Sequence, residues 1–277
     1  MTKAFALVLA GELAAAALLT PTAQGAAQPR DPSTESEYSL RGDEGQRLPN
    51  HAVKLLGPID RLPGVVAVGN PKGKETLVEF YDLNCPYCRL AAADIGEMLR
   101  SDPQLRLVLV PYPVLGIASI GAGRVELAVA KLGTPEQFYD FHRRVFAQRG
   151  TTDGPRALEI ARSLGLDPKG LATLGDSDQV THTMKNLVNL GNSLGLVATP
   201  SFIVGNLAIL GYPGPHALQT IVAAAGNCSK VVCREPIGGS PAVLIDASRV
   251  QSHPGSRTAA VRSTSARRPP SVRAARS

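Results

Sequence analysis

Tryptophan is absent from the 277-residue sequence, and aromatic residues make up only 4% of it. Apolar residues nevertheless amount to 44%, so the chain can bury a sizeable core, which must rest on leucine, valine, isoleucine and alanine. The three methionines form no methionine-rich tract, and none of the five histidines lies beside a cysteine. The sequence therefore has neither a methionine-rich tract nor a Cys-His cluster to support metal binding, and we predict no cofactor.

The formal net charge of +6 comes entirely from the C-terminal end of the chain. Residues 241–277 contain seven arginines and one aspartate, so residues 1–240 carry no net charge. A neutral body lacks the basic face that nucleic-acid binding requires, and we predict no nucleic-acid partner. Residues 237–277, rich in serine, proline, arginine and alanine, are predicted to form a disordered basic tail.

The first 27 residues have the order of an export signal. Lys3 precedes the apolar run Ala4–Leu19, and small residues follow at 23–27. Glu12 interrupts the run, which is too short to span a bilayer comfortably. The alternative to a cleaved signal is an N-terminal anchor that stays on the chain. We predict a signal peptide at 1–27, a soluble chain after export, and a linker or short N-terminal helix at 28–60.

Two buried strands with a helix between them open the folded part of the chain. Thr76–Tyr81 and Leu105–Val110 have the apolar and β-branched composition of strands, and a helical pattern begins near residue 86. A right-handed crossover makes two such neighbouring strands parallel.

Helical periodicity covers residues 119–194, and strand patterns return at 202–204 and 207–210. Strands on both sides of a helical stretch predict one sheet domain that carries an insertion. We therefore predict an α/β fold whose sheet domain comes from residues 61–118 and 195–236, with a helical insertion at 119–194. The predicted helices of the insertion and of the C-terminal part cover residues 122–132, 135–147, 155–164, 178–194 and 215–225.

The segment Cys85-Pro86-Tyr87-Cys88 lies where the first strand passes into this helix. Cysteines at i and i+3 share one helix face, and the helix N-terminus favours a thiolate at the first of them. Proline is favoured at the first helical position. The pattern predicts that Cys85 attacks a partner and that Cys88 resolves the mixed disulfide, with Pro86 and Tyr87 contacting substrate.

Two other interpretations of the cysteines remain open at this point. The Cys85–Cys88 pair is also compatible with a purely structural disulfide, or with half of a zinc site completed by Cys228 and Cys233. Cys228 and Cys233 are predicted to form a structural disulfide in an oxidising compartment, with a metal site or an accessory redox pair as alternatives.

A carboxylate lies within the first apolar strand, at Glu79. Because a buried carboxylate is costly, it must be paired, protonated or functional, unless strand alternation turns it outward. The functional interpretation is a proton acceptor for the Cys88 thiol.

The returning strand is preceded by Ala198-Thr199-Pro200-Ser201. A proline at a strand start can be trans and only structural. In a cis form it would bring the backbone of Thr199 beside the cysteines, where its N–H and C=O would pair with an extended substrate peptide.

Phe80-Tyr-Asp-Leu-Asn-Cys-Pro-Tyr-Cys-Arg89 and Ala198-Thr-Pro-Ser-Phe-Ile-Val204 resemble the bacterial DsbA-type thiol oxidoreductases, most of all the branch with ScsC and DsbG-like proteins. The resemblance extends over about residues 65–226. It implies a thioredoxin-like fold with a helical insertion domain, a periplasmic location, and disulfide exchange on unfolded or misoxidised exported proteins. It also implies the roles given above to Cys85, Cys88, Glu79, Thr199 and Pro200, and a membrane redox partner that reoxidises or reduces the dithiol.

This chain differs from the main oxidases of that family at two positions of the motifs. Oxidising relatives carry histidine where this chain has Tyr87, and Thr199 resembles the isomerase and reductase branches, so the direction of electron flow stays open. Residues 28–60 are too short and too rich in proline for the oligomerisation module of isomerases, and we predict a monomer. A copper- or zinc-binding periplasmic protein and a non-catalytic chaperone are the competing hypotheses.

Overall fold

The computed structural model describes residues 38–228, which form a six-stranded sheet and seven α-helices. The strands are β1 (Asn50–Ala52), β2 (Val66–Gly69), β3 (Glu75–Tyr81), β4 (Leu105–Pro111), β5 (Ser201–Val204) and β6 (Leu207–Leu210). The helices are α1 (Pro86–Ser101), α2 (Ile117–Leu132), α3 (Pro135–Ala147), α4 (Gly154–Arg162), α5 (Pro168–Gly175), α6 (Asp178–Ser193) and α7 (Pro215–Cys228), with a short 3-10 helix at Ile59–Arg61.

The sheet has the strand order β1-β6-β5-β3-β4-β2. Strands β3 and β4 are parallel, as the β–α–β pattern predicts, and all other neighbouring strands are antiparallel. In the central strand β3, Glu79 lies opposite Leu109 of β4 and opposite Phe202 of β5. The site that follows β3 is therefore anchored to the most enclosed part of the sheet, and the predicted α/β fold is confirmed.

Strand alternation divides β3 between two apolar layers. Leu77 and Tyr81 pack into the layer that contains side chains of α1, α3 and α7. Val78 and Phe80 pack into the opposite layer, together with side chains of α6. Since Glu79 alternates with Val78 and Phe80, it faces the same layer as α1.

Helix α1 forms because its apolar residues recur at helical spacing. Cys88, Ala91, Ile95 and Met98 are buried along one face. The helix ends at the cap residue Asp102, before a proline that disfavours its continuation. This buried stripe fixes the rotation of the helix and so points Cys88 into the core.

Five helices, α2 to α6, lie between β4 and β5, where a helical insertion is predicted. Four of them begin at a side-chain cap, as at Thr134, whose hydroxyl accepts from the Gln137 N–H while the Gln137 side chain accepts from the Thr134 N–H. The side chains of Asp153, Asp167 and Ser177 cap α4, α5 and α6 by accepting from backbone N–H groups of the first turn. The eight-residue α5 is absent from the sequence prediction because so short an element carries little periodicity.

The prediction of a linker or short helix over residues 28–60 is wrong at residues 50–52, which form the edge strand β1. This strand pairs with β6, and the Val53 N–H also donates to the Asn206 carbonyl at 2.8 Å. Three residues are too few to display a two-residue period, so tertiary pairing decides their conformation. The four-residue edge strand β2 was missed for the same reason.

Several predictions concern parts of the chain outside the described residues. These are the signal peptide at 1–27, the basic tail at 237–277, and the Cys228–Cys233 disulfide, since Cys233 and the side chain of Cys228 are not described. Between residues 38 and 228, no helix combines the length and the apolar character needed to cross a bilayer.

Candidate active site

Cys85 precedes the first turn of α1, and its side chain caps that helix. Its backbone is extended, with φ −78° and ψ 123°, and its Sγ accepts a hydrogen bond from the Cys88 N–H at 3.3 Å. Pro86 takes a position in the first turn, where its missing N–H leaves no donor unpaired. The free N–H groups and dipole of a helix N-terminus favour negative charge, so this position suits a thiolate.

The peptide bond between Thr199 and Pro200 is cis, and this segment lies against Cys85. The protonated Cys85 thiol donates to the Thr199 carbonyl oxygen at 3.1 Å. The Pro200 carbonyl is held by the Gly211 N–H at 2.9 Å. The loop before β5 and the start of α1 therefore meet at the Cys85 sulfur, although 114 positions separate Cys85 from Thr199.

The two thiols differ sharply in their tendency to ionise. The pKa of Cys85 is lowered to about 6, first by a hydrogen bond with the Cys88 thiol and then by the Thr199 hydroxyl and backbone N–H groups, against the effect of burial. Burial raises the pKa of Cys88 far above its usual range, and the Cys85 hydrogen bond and the charge of Glu79 act in the same direction. Cys85 is thus the thiol that ionises more readily, and Cys88 is the thiol that retains its proton.

Glu79 is wholly buried, which excludes the outward-facing interpretation. Neither carboxylate oxygen has a hydrogen-bond partner among the described residues. Burial, the charge of Cys85 and the charge of Glu126 together raise the pKa of Glu79 to about 8. A carboxyl group with this proton affinity can exchange a proton near neutral pH.

Asp82 organises the loops around the cysteines, a role that the sequence prediction missed. Its carboxylate accepts from the backbone N–H groups of Asn84, Val114 and Leu115 at 2.8, 2.8 and 2.9 Å, and from the Ser119 hydroxyl at 2.7 Å. Its carbonyl accepts from the Cys85 N–H at 3.0 Å. The only available signal was an aspartate between a buried strand and a Cys-x-x-Cys motif.

Glu126 is a second buried acid that the sequence prediction missed. It lies on α2, is 1% exposed, and accepts a hydrogen bond from the Tyr81 hydroxyl at 2.6 Å. His142 packs edge-on against the Tyr81 ring, with the ring centroids 4.6 Å apart. The signal for Glu126 was the same as for Glu79, an acid among apolar residues, here at helical spacing from buried Ala122.

Tyr87 lies at the mouth of the site with 62% of its side chain exposed, and Pro86 is exposed beside it. Further exposed apolar side chains come from α1, from the segment after β4 and from the residues before Thr199. We call this set the apolar rim; it comprises Tyr87, Leu90, Val114, Leu115, Ile117 and Val197.

The described part of the chain contains no group of three or more histidine, cysteine, aspartate or glutamate residues arranged to hold a metal ion. Among the described side chains, Cys85 and Cys88 therefore have no third ligand. The zinc arrangement that would add Cys228 and Cys233 lies outside the described side chains.

A thiol that ionises readily can attack a disulfide, and a buried thiol one turn away can attack the mixed disulfide that results. This chemistry, on a thioredoxin-like sheet and helices, defines the class of thiol–disulfide oxidoreductases. The model of the DSBA-like thioredoxin domain matches residues 76–223, more than half of the sequence. The chain belongs to this family, which confirms the DsbA-type resemblance.

Three relatives illustrate the similarity. The crystal structure of a thioredoxin-like oxidoreductase from Silicibacter pomeroyi is 34% identical and has a TM-score of 0.56, over 62% of this chain and 99% of that one. Disulfide bond formation protein D of Bacillus subtilis is 24% identical over 158 residues, 53% of this chain and 71% of its own length. The catalytic domain of Proteus mirabilis ScsC is 23% identical, with a TM-score of 0.54 over 60% of this chain and 92% of that one.

Titration of the reduced protein should give a thiolate absorbance with a midpoint at about pH 6, the value for Cys85. Thr199→Val removes one hydrogen bond to the sulfur and should move this midpoint upward.

The stability of the reduced protein should also depend on pH. Because the pKa of Cys85 is lower in the folded than in the unfolded chain, the thiolate stabilises the folded dithiol form fully above about pH 8.5. That stabilisation is lost as the pH falls through about 6. An unshifted midpoint near 8.5 in the wild-type protein would contradict the assignment.

Proposed function

We propose that the chain forms or rearranges disulfide bonds in exported proteins through the Cys85-Pro-Tyr-Cys88 dithiol. The observation that carries the proposal is the position of the Cys85 sulfur. It caps α1 through the Cys88 N–H and lies 3.1 Å from the Thr199 carbonyl oxygen. An ionisable sulfur is thus combined with a backbone segment that can align an extended peptide.

In the oxidising direction, a substrate thiolate attacks Cys85 of the Cys85–Cys88 disulfide, and Cys88 leaves as the thiol. A second substrate thiolate then attacks the sulfur of the first, releasing Cys85 as a thiolate. The substrate loses two electrons and the protein gains them. In the reducing direction the Cys85 thiolate attacks a substrate disulfide and releases one substrate thiolate. The deprotonated Cys88 then attacks the Cys85 sulfur of the mixed disulfide and releases the other, so the Cys85–Cys88 disulfide forms and the substrate gains two electrons.

Glu79 acts as the proton acceptor and donor for Cys88 in this scheme. Cys88 is wholly buried and leaves or attacks only with a change of protonation. Glu79 faces the same apolar layer, and its charge contributes to the raised pKa of Cys88. Its own pKa of about 8 suits transfer in both directions near neutral pH.

The substrates are unfolded or misoxidised polypeptides. The apolar rim, in which Ile117 is 89% exposed, offers a surface for the apolar side chains that an unfolded chain presents. Pro86, Tyr87, Pro200 and the backbone of Thr199 contact the polypeptide next to its sulfur. Backbone pairing at Thr199 needs no particular side chain, so the recognition tolerates many sequences.

We place the protein in the periplasm, exported by the signal at residues 1–27, as a monomer. After each turnover the dithiol or disulfide must be restored, and a membrane redox partner is the proposed source or acceptor of electrons. The dipeptide Pro86-Tyr87 contributes to the stability of the thiolate and so to the reduction potential.

The reduction potential decides the direction of electron flow. The full chain with Cys228→Ser and Cys233→Ser would be equilibrated with glutathione buffers, and the oxidised fraction of Cys85–Cys88 measured. We expect a reversible disulfide, with a potential raised by the stabilised thiolate, each 30 mV corresponding to about tenfold in the equilibrium. An oxidising value indicates a disulfide donor and a strongly reducing value an isomerase or reductase. If no disulfide forms, the proposal fails and metal binding becomes the leading hypothesis.

A further inference from the structure

Two buried carboxylates lie on the side of the sheet that carries the dithiol. Glu79 of β3 has no hydrogen-bond partner among the described residues, and Glu126 of α2 accepts from the Tyr81 hydroxyl at 2.6 Å. Tyr81 is two residues from Glu79 on the same strand, so both side chains face the same layer. Strand β3 thus carries Glu79, the proton acceptor proposed for Cys88, and also Tyr81, which binds the second acid, Glu126.

Burying the Glu126 carboxylate costs free energy that packing alone would not require. A phenylalanine at position 81 and an aliphatic residue at position 126 would fill the same space without burying a charge. One hydrogen bond from Tyr81 is all that Glu126 receives within the described residues. The burial of Glu126 therefore points to a use for its charge.

That charge acts on Glu79. The negative charge of Glu126 is one of the three causes that raise the pKa of Glu79, and burial raises the pKa of Glu126 itself to about 8. The Tyr81 hydrogen bond opposes this rise because it stabilises the ionised form of Glu126. Two interacting carboxyl groups of similar proton affinity titrate as a pair.

Other titratable groups face this pair from the surrounding elements. Cys85 and Cys88 approach from α1, and Asp82 from the end of β3. His142 and Tyr139 face it from α3, and Tyr212 from the segment before α7. Burial lowers the pKa of His142 to about 3, so it stays neutral in the range that matters for Glu79.

We propose that Tyr81 and Glu126 form a positioning pair that holds a second negative charge near Glu79 and thereby sets the pH at which Glu79 exchanges a proton with Cys88. The proposal rests on the function proposed above. Tyr81 acts only through Glu126, and Glu126 only through Glu79. When Glu126 is ionised, Glu79 binds its proton more tightly and is the stronger base towards the Cys88 thiol.

The test is the pH dependence of the step in which Cys88 resolves a mixed disulfide. Wild-type protein carrying a peptide on Cys85 would be followed by rapid quenching as the peptide is released. Release should rise with pH as Glu79 loses its proton. Glu126→Gln should move the midpoint of this rise down by about half to one pH unit, since it removes a charge and keeps the shape. Tyr81→Phe should move it in the same direction by less.

The double variant should match Glu126→Gln alone, because the Tyr81 hydroxyl donates to Glu126 and makes no hydrogen bond to Glu79. Tyr112→Phe is the matched control: it also removes a buried phenol, whose hydroxyl oxygen lies 2.6 Å from the Asn192 side chain and 2.9 Å from the Leu196 carbonyl oxygen in the opposite layer. Its midpoint should equal that of the wild type.

The outcomes separate this pair from the proposed function. If the wild type releases no peptide, the proposed function fails. If the wild type releases peptide and the profiles of Glu126→Gln and Tyr81→Phe overlay it, the function stands and the positioning pair is overturned. If Glu126→Gln does not fold, Tyr81→Phe alone decides, and an unshifted or upward-shifted midpoint in that variant overturns the pair.

Discussion

Cys85→Ser is expected to lower the rate of disulfide exchange by roughly a thousandfold or more, to the background rate. A serine hydroxyl cannot be oxidised to a disulfide and does not ionise near pH 6, where the Cys85 thiol does. The fold should persist, because serine at a helix N-cap still accepts the hydrogen bond that Cys85 accepts from the Cys88 N–H. The measurement is the turnover of a scrambled or reduced substrate protein, with thermal unfolding of the same samples as the test of folding.

Cys88→Ser should give the opposite kind of failure. The nucleophile remains, but the mixed disulfide on Cys85 cannot be resolved, so covalent complexes with substrates should accumulate and appear on non-reducing gels. Cys228→Ser with Cys233→Ser is the control, and it should neither trap substrates nor stop turnover. Retained turnover in Cys85→Ser would favour the chaperone hypothesis, in which the thiols have no part in function.

The parts of the site that depend on local sequence were predictable. Cys85 and Cys88 are separated by one helical turn, and a strand, a proline and an apolar helix pattern surround them. Thr199 and Pro200 were found because a proline before a strand stands out against an apolar background. Glu79 was found because an acid in a buried strand has few structural explanations.

The contacts that complete the site could not be predicted, because each joins residues far apart in the chain. Tyr81 and Glu126 are 45 positions apart, and nothing in the sequence of either element indicates that their side chains meet. The same holds for Asp82, which reaches Val114 and Leu115 across more than 30 positions. A single sequence specifies which residues are buried more readily than which buried residues meet.

The edge strands of the sheet were the weakest part of the prediction for a related reason. β1 and β2 contain three and four residues, and their pairing with β6 and β4 supplies the order that their own composition does not. The central strands β3 and β4 have seven residues each and carry enough apolar residues to be recognised.

Asp82→Ala should lower the free energy of unfolding by about 3 kcal/mol. The carboxylate is 1% exposed and accepts four hydrogen bonds, three from backbone N–H groups and one from the Ser119 hydroxyl. Alanine would leave these donors unpaired in a buried region. Because two of them belong to Val114 and Leu115 of the apolar rim, the loop should loosen and the KM for unfolded substrates should rise. Urea unfolding and steady-state kinetics measure the two effects.

Asp82→Asn refines this test, because asparagine keeps the shape but turns two donors toward N–H or O–H groups that also donate. It should cost roughly 2 kcal/mol. Asp153→Asn is the matched control at the surface, where the side chain caps α4 through the Arg156 N–H and asparagine caps equally well, so stability should hardly change. If the two asparagine variants unfold at the same urea concentration, Asp82 does not hold the loops together. If Asp82→Asn is less stable and also has a higher KM while the titration of Cys85 is unchanged, the carboxylate acts on the substrate surface rather than on the nucleophile.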